Sequence, residues 1–186
     1  MSLGSYQYLL VPISIGLLLP AFAAPWVAVN FLGYRAYAPL EIMAGFAQTP
    51  DAAGRQIDIS LLRQNGPTVA ASMASMSLFV AAIALLFAAI PLKKRRAHLA
   101  LAAGILALSS GVLWIYAIES LKDSITRAAS LTGGIIGEEF RGREGDLADL
   151  FIIMGIGHYL VMAAGVLSVS SYVAELRGRV RQIPSK

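Results

Sequence analysis

The chain reads as an all-α integral membrane protein, a four-helix bundle with both termini cytoplasmic and two outer loops. Three observations predict this: four long stretches free of charged side chains, 57% apolar against 14% charged residues, and a knot of positive charge between two of the stretches. Soluble domains hold roughly 45 to 50% apolar and about 25% charged residues, so a soluble core has no use for this much apolar surface. At 186 residues the chain is the size of one domain, and no second folded unit is expected.

The bilayer core is about 30 Å thick, and a helix needs about 20 apolar residues to cross it. Residues 1–34, 64–92, 99–118 and 150–174 contain no Asp, Glu, Lys or Arg. Spans are expected at 9–32, 69–92, 99–118 and 150–173. Transmembrane strands would alternate over segments of about ten residues, whereas these runs are longer and continuously apolar. Helices also satisfy every backbone group within lipid. In the first run, Ala21-Phe22-Ala23 before Ala24 has the form of a signal-peptidase site. The leading Met-Ser-Leu-Gly-Ser-Tyr-Gln carries no positive charge, so a retained span is expected, bent by Pro12, Pro20 and Pro25.

Four spans put both termini and the 93–98 connection on one side. That side holds Lys93, Lys94, Arg95, Arg96, Arg177, Arg179, Arg181 and Lys186 against Glu175 alone; the other holds seven basic and ten acidic residues. Basic residues in short loops stay in the cytoplasm, which orients the chain in the cell membrane with its termini inside. Lys93, Lys94, Arg95 and Arg96 therefore read as topology determinants that also touch lipid headgroups. They have no interleaved aromatics and belong to no nucleic-acid motif, so no nucleic-acid partner is expected.

In the first outer loop, Leu40, Met43, Ala44 and Ala47 stand at helical spacing, which predicts a short interfacial helix with Tyr34 and Tyr37 in the aromatic belt. Gln56–Leu61 alternates polar and apolar residues, one candidate short strand that needs a pairing partner. The third span should continue outward as a helix through Ser130, with Glu119/Lys122 and Asp123/Arg127 as favourable surface pairs. Residues 132–145 hold five glycines, too many to favour helix. They read as a flexible connection or a protein contact, and no strand or Gly-Lys-Ser/Thr accompanies them to make a phosphate cradle.

Without a hydrophobic drive between helices in lipid, close approach depends on small residues. Ala103, Ala107 and Gly111 form such a stripe on the third span, and Gly157 and Gly165 stand on the fourth. They would pack the bundle or a neighbouring subunit. His158 falls eight residues into the expected fourth span, about 12 Å below its boundary, near mid-bilayer. Polar groups there are costly and often functional. The other histidine, His98, lies at the far end of the third span, so haem at His158 would need a ligand from a partner subunit. No metal site and no catalytic set is read from the chain. The absence of cysteine removes disulfides, zinc thiolates and iron–sulfur ligation. Spans without acids or bases argue against an ion-coupled transporter or a voltage sensor.

Termini inside, a longer first outer loop, a short basic hairpin, and Leu113-Trp-Ile-Tyr-Ala-Ile-Glu119 running on into Ser120 to Ser130 together resemble the claudin and peripheral-myelin-protein class of tetraspan proteins. The likeness is one of layout over most of the chain. The family's first-loop signature, a Trp, a Gly-Leu-Trp and two cysteines, has no counterpart here, and no site residue is carried across. The expected function is that of a non-catalytic accessory, scaffolding or adhesion subunit, working in the lipid bilayer with other membrane subunits or as a homo-oligomer. Two alternatives are a respiratory or oxidase subunit with His158 near a cofactor, and a small oligomeric pore or transporter.

Overall fold

A computed structural model describes residues 3–30, 34–39, 66–92, 95–131 and 152–180. Along the chain these form α1 (Leu3–Ala23), β1 (Val27–Asn30), β2 (Tyr34–Tyr37), α2 (Gly66–Ala89), α3 (Arg96–Leu131), β3 (Ile152–Met154) and α4 (Ile156–Val180). Within α2, α3 and α4 lie helical segments long and apolar enough to cross a membrane. The 21 residues of α1 include Pro12 and Pro20 and extend about 31 Å.

The first apolar run does not stay helical to residue 32. Ala24 N–H still donates to Pro20 O at 2.8 Å, but Pro25 has no N–H to continue the ladder and disfavours helix at the residue before it. The chain turns and enters β1. A second correction concerns the fourth span, where Ile152–Met154 forms β3 before α4 opens at Ile156.

The chain is mostly helical, as the all-α reading with one possible short strand expected, but it adds a three-stranded antiparallel sheet in strand order β2-β1-β3. Val27 stands opposite Tyr37 on one side and Met154 on the other; Ala28 stands opposite Ala36 and Ile153. Tyr34–Tyr37 is a strand where the sequence pointed to an interfacial helix. The candidate strand at Gln56–Leu61, the positions Leu40, Met43, Ala44 and Ala47, and the glycine-rich 132–145 segment lie outside the described residues.

Helix α2 packs on α3, α3 on α4, and α4 on α1, with a thinner contact between α1 and α2. Ser75 of α2 and Ser110 of α3 are both fully buried and bond reciprocally. Each hydroxyl donates to the other's carbonyl at 2.8 Å, and the two oxygens lie 3.1 Å apart. Such a pair leaves no hydroxyl unsatisfied where no water is at hand. The 36 residues of α3 extend about 54 Å, well beyond a bilayer core of about 30 Å. The expected continuation past the third span is therefore present, and Lys122 reaches Glu119 at 3.4 Å as an i,i+3 pair.

Candidate functional site at the sheet–helix junction

The end of α1, the start of β1 and the start of α4 are tied together at Trp26. Its backbone N–H donates to Tyr37 O at 2.9 Å, carrying the β1–β2 ladder one residue further. Its carbonyl accepts twice, from Gly155 N–H at 2.9 Å and from the Trp114 indole at 3.2 Å. The Trp26 indole N–H donates to Ala21 O at 2.8 Å, one of the carbonyls left open where α1 stops. Every polar group of this fully buried residue is paired, which avoids the roughly 1–3 kcal/mol that each orphaned group would cost.

Aromatic rings enclose the junction. Phe79 of α2 meets Trp26 edge-on at 5.0 Å and stacks on Phe22 of α1 at 5.7 Å; Trp114 of α3 meets Trp26 edge-on at 5.3 Å. Each such pair adds about 0.5–1.5 kcal/mol to what burial alone provides. On the remaining side, Gly157 N–H donates to Pro25 O at 2.9 Å. A Cβ at Gly155 would run into the Pro25 carbonyl, and one at Gly157 into the Trp26 indole. Both glycines are thus required by close approach.

His158 follows at once. Because α4 begins at Ile156, this histidine lies in the first helical turn, about 3 Å along the axis from its start. The expected eight helical residues before it are not there: the chain is strand over Ile152–Met154, and helix begins only at Ile156. The side chain is only 3% exposed and packs with Met162 against Gly111 of α3; its Cε1 lies 3.6 Å from where a Gly111 Cβ would stand. The Tyr159 ring lies 5.3 Å away. Among the described residues, His158 Nδ1 has no hydrogen-bond partner. His98 lies 13 residues along α3 from Gly111, about 20 Å away along the axis, so the two histidines share no ligand. No group of three or more His, Asp or Glu comes together among the described residues.

The small residues serve two partners inside the chain. Ala103 and Ala107 are buried on the α3 face that carries Ser110 toward α2. Gly104 and Gly111 instead meet α4. A Cβ at Gly104 would come within 2.9 Å of Gly165 O, and one at Gly165 within 2.8 Å of the Leu108 side chain. Of the basic knot, Lys93 and Lys94 lie outside the described residues. Arg95 is exposed, and Arg96 donates from Nε to Ala89 O at 3.4 Å, covering the C-terminal end of α2.

Sequence reasoning missed Trp26, Gly155 and the Ser75–Ser110 pair. The available signal was Pro25-Trp26-Val27-Ala28-Val29, a helix stop followed by residues that favour strand. Chemically, the junction fixes the sheet to three helices and leaves one sealed imidazole nitrogen able to accept a hydrogen bond or ligate an ion. Set against known proteins, the chain matches no family model, and no curated protein matches it.

Proposed function

We propose that this is a non-catalytic four-span membrane protein, both termini cytoplasmic, that serves as an accessory, scaffolding or adhesion subunit of a larger assembly. One observation carries the reading: a helix far longer than a bilayer is thick, joined through Trp114 to Trp26, where a sheet is bonded directly into the ends of α1 and α4. That construction holds a fixed shape beyond the lipid, which suits a surface that other proteins grip. The likeness of layout to the claudin and peripheral-myelin-protein class, read from the sequence, favours the same reading. Isolation in gentle detergent, with mass spectrometry of co-migrating chains, tests it. Stoichiometric protein partners or a defined homo-oligomer are expected, and a lone monomer across several mild detergents would sink the proposal.

A second reading has one observation in its favour, the buried and unpartnered Nδ1 of His158. Under it, this imidazole ligates a cofactor completed by a neighbouring subunit. An absorption spectrum of the same isolate would show a visible band that His158→Ala removes, whereas a colourless complex contradicts it.

A further inference from the structure

At the end of the helices remote from the sheet, His98 meets Tyr172 edge to face, with ring centroids 5.7 Å apart. That contact brings the first turn of α3, and the turn leading into it, to the later part of α4. Arg95 and His98 on one side and Arg177 on the other are all exposed. Arg177 lies five residues past Tyr172, about 7.5 Å along the helix. Of the other nearby charges whose side chains are described, Arg96 bonds to Ala89 O, and Glu175 has an interaction of its own. Arg95 and Arg177 form no ion pair among the described residues.

The apolar surroundings decide what such a cluster suits. Leu92 beside Arg95, and Val173 and Leu176 beside Arg177, are large and exposed. A free anion would use the cations and gain nothing from these neighbours. A molecule with an anionic head and an apolar body satisfies both. Guanidinium groups also present paired N–H donors that match phosphate oxygens.

We propose that this cluster seats the phosphate of an anionic phospholipid, with Arg95 and Arg177 as charged donors, His98 held beside them by Tyr172, and Leu92, Val173 and Leu176 against the acyl chains. The inference rests on the membrane reading above. Native mass spectrometry of the full chain in mild detergent tests it, using phosphatidylglycerol and phosphatidylcholine with identical acyl chains. One phosphatidylglycerol per chain should be retained at least about tenfold better than phosphatidylcholine, since each nearby basic residue contributes separately. The Arg95→Ala/His98→Ala/Arg177→Ala variant should lose that preference, and Lys122→Ala/Arg127→Ala, with two charges removed further along α3, should keep it. Arg177→Gln alone, at an exposed position, should show a smaller loss and covers the case in which the triple variant does not fold. Equal retention of the two lipids, a preference that survives the triple variant, or displacement by millimolar inorganic phosphate would each overturn the lipid site. Recovery of monodisperse protein without any detergent would instead overturn the membrane reading.

Discussion

Trp26 is used at both ends, its indole closing α1 through Ala21 and its carbonyl holding Gly155 and Trp114. The residues most sensitive to small changes are therefore the glycines packed against this junction. Gly155→Ala should lower the thermal midpoint in detergent most, because its new methyl meets the Pro25 backbone, and Gly157→Ala should also lower it. Overpacking of this kind costs about 1–3 kcal/mol. Gly16→Ala provides the control: no atom lies within 4 Å of its Cβ position, and alanine is the better helix former by about 1 kcal/mol. An unchanged midpoint for Gly155→Ala would mean that the junction is looser than described. His158 drew notice in the sequence as a lone histidine in an apolar run. Its bare Nδ1 and its place in the first turn were not legible, since both depend on where α4 begins and on Gly111 and Met162 packing against it.

Among the elements, α2 and α3 are joined by the reciprocal serine bonds. A double-mutant cycle of Ser75→Ala and Ser110→Ala should give a coupling of about 0.6 kcal/mol, and below about 1.7 kcal/mol, the range for such bonds within membranes. Zero coupling in unfolding measurements would show that each hydroxyl finds another partner. Run length made α2, α3 and the body of α4 legible, because nothing but a spanning helix needs so many apolar residues in sequence. The same criterion hid β1 and β3. Val27-Ala28-Val29 and Ile152-Ile153 are as apolar as the helices they adjoin, and hydropathy does not separate a buried strand from the end of a span. Only their mutual pairing makes them strands, and a pairing between distant segments leaves no local mark.

For the whole molecule, the His98–Tyr172 contact sets one end and the sheet with Trp26 the other. In sealed vesicles, Asp123→Cys on the extension of α3 and Arg177→Cys near the end of α4, both exposed, should react with a membrane-impermeant maleimide from opposite faces. The chain has no cysteine of its own, so each signal comes from one site. Labelling of both from the same face would remove the four-span arrangement. The β1–β3 pairing bears also on how the protein comes to be made. Val27 leaves the ribosome about 125 residues before its register partner Met154. At about 5–20 residues per second, the Trp26 carbonyl waits roughly 6–25 s for Gly155. Until α4 arrives, one face of the junction stays open, which makes the last helix the piece that seals the fold.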